Sequence, residues 1–261
     1  MKILLSNDDG FRAEGLRALA RSLSGHELVI AAPAGECSAT GHGLTLRDPL
    51  RVRVAEEDGL RFHGVTGFPA DAVKFGLSVL CQGAPPDLVV SGVNHGANTG
   101  QNLFYSGTVA AAAEGTFAGI PSLAVSLAAG HGRVPPGGFD TAARVARQVV
   151  DRFARRPLPP EVLLNVNVPD LPAGQLRGFR VSRMGYARFH EIFEERLDPA
   201  GRRYWWMDGA KNGDDTDPEH DDFQVHAGWI SLTPLRLDLT HPDWAELLAG
   251  WGLDTMSGEE A

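Results

Sequence analysis

Short, nearly unbroken apolar runs recur along this chain, each stopped by a polar or glycine-rich break. Residues 2–6 (KILLS) form the first, ended by Asn7-Asp8-Asp9-Gly10. Residues 13–23 follow, with Leu16, Leu19, Ala20 and Leu23 at helical spacing. Residues 28–32, stopped by Pro33, then 87–91 (DLVVS), 122–126 (SLAVS) and 162–168 (VLLNVNV) repeat the pattern, and helices are expected over 108–117 and 139–154. A run without polar alternation suits a parallel strand covered on both faces. Strand, helix, strand, repeated, predicts an α/β fold built on a doubly wound, mostly parallel sheet.

The pattern changes after about residue 170. Residues 180–230 hold the longest polar stretch, with Asp214, Asp215, Asp217, Glu219, Asp221 and Asp222, and with Tyr204, Trp205 and Trp206. Their apolar content is too scattered for a separate core, so they read as an extension from the sheet. Residues 229–233 suit a last strand and 243–251 a closing helix. The expected division is a catalytic core over 1–180, an arm over 181–230, and a C-terminal strand and helix over 231–261.

Of 261 residues, 43% are hydrophobic, enough for a substantial core. The formal net charge of −9 argues against a nucleic-acid polymer as partner, because phosphate backbones need compensating Lys and Arg. It leaves room for one small anion held locally by a metal and by backbone N–H groups. Cys37 and Cys81 offer neither a disulfide framework nor zinc spacing. No apolar signal core precedes Asn7, and no stretch approaches the roughly 20 apolar residues of a membrane helix. The expectation is a soluble, cytoplasmic protein with no membrane partner.

In open parallel sheets, ligands bind beyond the carboxyl ends of the strands. Asp8 and Asp9 follow the first run, Ser38 lies in the loop after the second, and Asn94 follows DLVVS. Two carboxylates, a hydroxyl and an amide carbonyl are all oxygen ligands, the set preferred by hard cations such as Mg²⁺ and Mn²⁺. Taken singly, Asp8-Asp9 could be a turn and helix cap, Ser38 a loop hydroxyl bonded to backbone, and Asn94 a turn residue. Together they favour metal binding.

A second constellation runs from Gly96-Ala97-Asn98-Thr99-Gly100 to Tyr105-Ser106-Gly107-Thr108. A glycine-rich loop entering a helix N-terminus presents unpaired N–H groups suited to phosphate. Asn98, Ser106, Gly107 and Thr108 are the candidate phosphate-binding residues, and an N-cap role for Ser106 or Thr108 is the equal alternative. The loop is neither a Walker A sequence nor a GxGxxG fingerprint. His42, His63, His95 and His190 have no nearby partner that fixes an acid–base role. His95 stays open because it adjoins Asn94.

With those residues assembled, the chain resembles the SurE family of survival-protein phosphatases. The matching blocks are LLSNDDG at 4–10, SATGHGLT at 38–45, PAD at 69–71, PDLVVSGVN at 86–94, YSGTVAA at 105–111, NVNVP at 165–169 and SLTPL at 231–235. The resemblance implies a Rossmann-like core with a protruding β-hairpin. It implies 5′-nucleotidase activity on nucleoside monophosphates, extending in some relatives to 3′-nucleotides and short polyphosphate. It implies Mg²⁺ or Mn²⁺ on Asp8, Asp9, Ser38 and Asn94, and a homodimer or homotetramer joined through the hairpin. Phe68 stands where a small residue is usual, and the late Gly-Thr-Asp pattern reads Asp215-Thr216-Asp217. Both bear on substrate preference more than on chemistry. Asp8 and Asp9 are the candidate catalytic residues, with Asp8 favoured as acceptor of the attacking water's proton.

Two other functions compete. A nicotinamide-dependent oxidoreductase would need the absent GxGxxG loop. A non-catalytic nucleotide-binding regulator would keep the glycine-rich loop but would not need paired carboxylates.

Overall fold

The computed structural model describes residues 1–130, 134, 136–187, 189–211 and 215–251. Asp214 of the acidic run and residues 252–261 of the C-terminal segment lie outside the described residues. The chain runs β1 (Lys2–Ser6), α1 (Glu14–Ser22), β2 (Glu27–Pro33), β3 (Val52–Glu57), β4 (Leu60–Val65), α2 (Pro69–Phe75), β5 (Leu88–His95) and α3 (Gly107–Phe117). It continues through β6 (Ser122–Ala128), α4 (Gly138–Phe153), β7 (Val162–Pro169), β8 (Phe179–Val181), β9 (Phe189–Leu197), β10 (Arg203–Lys211), α5 (Asp221–His226), β11 (Ile230–Arg236) and α6 (Trp244–Ala249).

Nine strands form one mixed sheet in the order β3-β4-β2-β1-β5-β6-β7-β11-β8. Its centre, β4 to β7, is parallel throughout, while β3 and β11 join antiparallel. The expected α/β, Rossmann-like doubly wound sheet is therefore present, with β9 and β10 paired antiparallel as a separate hairpin.

The apolar run of β1 is explained by its two covered faces. Ile3 and Leu5 pack into a cluster with Leu16 and Leu19 of α1 and Val145 of α4. Leu4 points the other way, into a cluster with Val73 of α2 and Ala111 of α3. Strand side chains alternate faces, so both sets must be apolar. α3 is nearly wholly buried, and its small residues allow a close approach. A Cβ on Gly115 would stand 2.4 Å from Ser122 Oγ and 2.6 Å from Val89 Cγ2.

The order in which strands are added across the sheet reverses beside β1. From β1 the path goes to β2 on one side and later to β5 on the other, with Ser6 level with Ser91. Such a switch point leaves a crevice above the carboxyl ends of the two strands. Asp8 and Asp9 follow β1, and Asn94 closes β5, so both rims of the crevice carry candidate ligands.

Candidate active site

Asn7 builds the turn that presents the carboxylates. Its Nδ2 donates to the Gly10 carbonyl at 3.1 Å, and its Oδ1 accepts from the Gly10 N–H at 3.2 Å. Gly10 sits at φ 104°, a conformation that a side chain would strain.

Asp8 is buried, and its Oδ1 accepts the Thr108 hydroxyl. The N–H groups of Gly107 and Thr108, at the start of α3, also face this carboxylate. Burial nevertheless dominates and raises Asp8 above the ordinary aspartate range, with the hydrogen bonds from Thr108 and the backbone opposing it. Asp9 is pushed up to about 7, first by burial and then by the negative charges of Asp8 and Glu36. The His95 N–H donates to its Oδ2 at 3.3 Å and offsets part of that shift.

The backbone ties the sequence neighbours of the other two expected ligands to this turn, Cys37 next to Ser38 and His95 next to Asn94. The Cys37 N–H donates to the Asp8 carbonyl at 2.8 Å. The exposed Ser38 hydroxyl donates to Glu36 Oε1 at 2.8 Å. Asn94, half-buried, uses its Nδ2 on the Gly96 carbonyl at 2.8 Å, which fixes the plane of its amide.

The residues expected at the phosphate divide. Ser106 caps α3, accepting from the Val109 N–H at 3.1 Å. Gly107 and Thr108 lie against Asp8. Asn98 is buried in an amide cluster: its N–H donates to Asn167 Oδ1 at 2.8 Å and its Nδ2 to Ser126 Oγ at 2.9 Å. Its carbonyl accepts from Asn165 and Asn167 at 2.8 and 3.0 Å.

Among the histidines, His42 meets Glu114 at 2.7 Å, and His63 Nδ1 lies 2.9 Å from the Ile30 carbonyl. His95 packs edge-on to Phe139, and its buried Nε2 has no hydrogen-bond partner. His190 is exposed on β9. Phe68 covers Gly43, where a Cβ would stand 3.2 Å from the ring. Asp215 takes His220 Nδ1 at 2.8 Å. Sequence reasoning passed over Asp221, whose carboxylate accepts from the N–H groups of Gly100 and Gly185 and so ties the glycine-rich loop to the root of the hairpin. A cavity of about 680 Å³ lined by Leu123, Arg152, Phe153 and Leu164 contains none of the candidate site residues.

The donor set fits a hard divalent cation. Of the two adjacent carboxylates Asp8 is buried and Asp9 partly so, and among the described residues no cationic group offsets either one. Burial raises both, and for Asp9 the neighbouring charge of Asp8 adds to it. Among the described residues no group of three or more His, Cys, Asp or Glu side chains is placed to hold a metal. A cation here would draw on the two carboxylates and on neutral Ser and Asn oxygens, with water completing its shell.

The model of the survival protein SurE family matches residues 3–191. The chain belongs to the SurE family. A relative from Syntrophobacter fumaroxidans, named 5′-nucleotidase SurE, is 43% identical over 97% of this chain and 100% of its own length. A protein of the same name from Gloeobacter violaceus is 46% identical over 95% of this chain and 94% of its own. The crystal structure of the SurE protein from Aquifex aeolicus aligns over the full length of both chains, with 33% identity and a TM-score of 0.80. SurE membership thus rests on both the sequence and the arrangement of the whole fold. Among the described residues no helix is long and apolar enough to cross a membrane.

Proposed function

We propose that this chain is a 5′-nucleotidase that hydrolyses nucleoside 5′-monophosphates to nucleoside and inorganic phosphate, with Mg²⁺ or Mn²⁺ as cofactor. Activity on 3′-nucleotides and short polyphosphate belongs to the same proposal. The observation that carries it is the Asp8–Asp9 pair, uncompensated at the switch point and set against the N-terminus of α3. The names of its relatives support the same reading.

Asp8, Asp9, Ser38 and Asn94 are the residues that would hold the cation. When bound, it supplies Lewis-acid neutralisation of the phosphoryl charge and makes water more acidic. A phosphate monoester dianion repels an anionic nucleophile, so this neutralisation has to precede attack. Asn98, Ser106, Gly107 and Thr108 are the proposed phosphate contacts, and phosphoryl oxygens would take the place of the partners their donors have in the structure: Asp8 for Gly107 and Thr108, and Asn167 and Ser126 for Asn98. One of the two carboxylates accepts the proton of the attacking water.

The test is release of inorganic phosphate from AMP and GMP by the full chain with Mg²⁺ or Mn²⁺. No release with either cation, from protein shown to be folded, overturns the proposal. Hydride transfer with added NAD or NADP would instead favour an oxidoreductase.

A further inference from the structure

We propose that Glu114 is a positioning residue for the loop that carries Ser38, which it holds in place through His42. The inference rests on the reading of Ser38 as a metal ligand.

Residues 34–51 connect β2 to β3 with no helix or strand of their own. A long irregular connection inside a compact domain is usually functional, and it needs tethers to hold a shape. Its ends are tied down by the Ala34 N–H on the Val65 carbonyl and the Arg51 N–H on Thr66 Oγ1, each at 2.8 Å, and between them three further backbone N–H groups are held. The Cys37 N–H reaches Asp8, the Gly41 N–H donates to the Tyr105 carbonyl at 3.0 Å, and the Thr45 N–H lies 3.0 and 3.2 Å from the two oxygens of Asp71. A further tie is made between side chains: His42 Nε2 lies 2.7 Å from Glu114 Oε1.

Glu114 is an unusual residue for its place. It is buried on α3, whose other members are Gly, Ala, Val, Thr and Phe. Isolated burial would push its carboxyl up, but hydrogen bonds from His42 and Lys74 outweigh burial and hold it below the usual glutamate range. Its two oxygens have separate partners, with Oε2 2.7 Å from Lys74 Nζ. Lys74 therefore compensates the charge even without His42, and the His42 contact is left to hold the loop. The His42 ring is fixed a second way, stacked on Phe117 at 5.6 Å between centroids and 26° between planes.

Ser38 has much to gain from such a clasp. A neutral hydroxyl is a weak ligand whose contribution depends on exact placement, and outer groups that orient ligands commonly set metal affinity. The loop is seated on α3, the same helix whose first turn holds Asp8. One rigid element thereby fixes the distance between a loop ligand and a strand-end ligand.

The experiment measures the Mn²⁺ dissociation constant by electron paramagnetic resonance, with melting temperature alongside, in full-length His42→Ala, His42→Gln, Ser38→Ala and the His42→Ala/Ser38→Ala double variant. His42→Ala is expected to weaken Mn²⁺ binding by about tenfold. His42→Gln, whose amide N–H can also donate to Glu114, should recover most of that loss. In the Ser38→Ala background, His42→Ala should add little, since the ligand it positions is gone. A general loss of fold would instead lower affinity equally in both backgrounds. The proposal is overturned if His42→Ala binds Mn²⁺ within about twofold of wild type, or if the two losses add in full. If Asp9→Asn and Ser38→Ala both bind Mn²⁺ like wild type, the metal-site reading itself fails and takes this inference with it.

Discussion

Gly107 and Asp8 pack so closely that a Cβ on Gly107 would stand 2.7 Å from the Asp8 Cβ and 2.9 Å from its Oδ2. The same Cβ would meet Pro69 Cγ at 3.0 Å, which blocks retreat on that side. Gly107→Ala should therefore displace the Asp8 carboxylate. The expected result is a fall in kcat of about tenfold or more, since small misplacements of catalytic groups are costly. Steady-state kinetics checks this, with circular dichroism to establish that the fold is kept.

Asp8→Asn and Asp9→Asn should each lower kcat by at least about a hundredfold, the usual scale for losing a catalytic electrostatic group. Folded variants that both bind metal and turn over like wild type would exclude the site. Trapping a phosphorylated Asp8 would keep the site but replace direct attack by water with a covalent route.

Chelation follows from the all-oxygen donor set. EDTA should abolish phosphate release, and Mg²⁺ or Mn²⁺ should restore it. Undiminished turnover by exhaustively metal-free protein would count against a metal mechanism.

Asp9 gives a signed pH dependence. In the folded chain without metal it keeps its proton up to about 7, against the ordinary 3.8. Between those values the folded state binds more protons than the unfolded one. This group's stabilising contribution is therefore complete below about pH 4 and is lost as pH rises through about 7. The melting temperature of metal-free wild type should fall relative to Asp9→Asn between pH 5 and 8, by calorimetry. Cations compete with protons for carboxylates, so stabilisation by Mn²⁺ should grow across the same range.

The β9–β10 hairpin predicts assembly. It exposes Ile192, Phe193, Leu197, Tyr204, Trp205, Trp206 and Met207, an apolar load that suits contact with another subunit. The full chain should be a homodimer or homotetramer, and deletion of residues 189–211 should lower its mass in light scattering. A monodisperse monomer of the intact chain at micromolar concentration would refute this.

Much of the fold was legible because double burial leaves a plain mark. Ile3, Leu4 and Leu5 had to be apolar on both faces, and the same held for Val89, Val90 and the run of β6. Asp8 and Asp9 were legible because a strand that stops in a polar turn ends at the sheet's rim. The β3–β4 hairpin was passed over because its strands alternate, with Val52 and Val54 exposed, so no continuous run announces it. Its signal is the turn Asp58-Gly59, both at positive φ. α2 was missed because seven residues give too few turns for periodicity. The ties between His42 and Glu114 and between Asn98 and Asn165 join residues 72 and 67 apart, a pairing that local pattern does not encode.

The link between Asp8 and Thr108 spans 100 residues. At about 5–20 residues per second, the ribosome needs about 5–20 s to make the second partner after the first. Through that interval Asp8 lacks the Thr108 hydroxyl and the N–H groups of Gly107 and Thr108. Those contacts, which oppose the cost of burying Asp8, come into being only when α3 is delivered. A chain released before that point carries the Asp8-Asp9 motif without the helix that seats it.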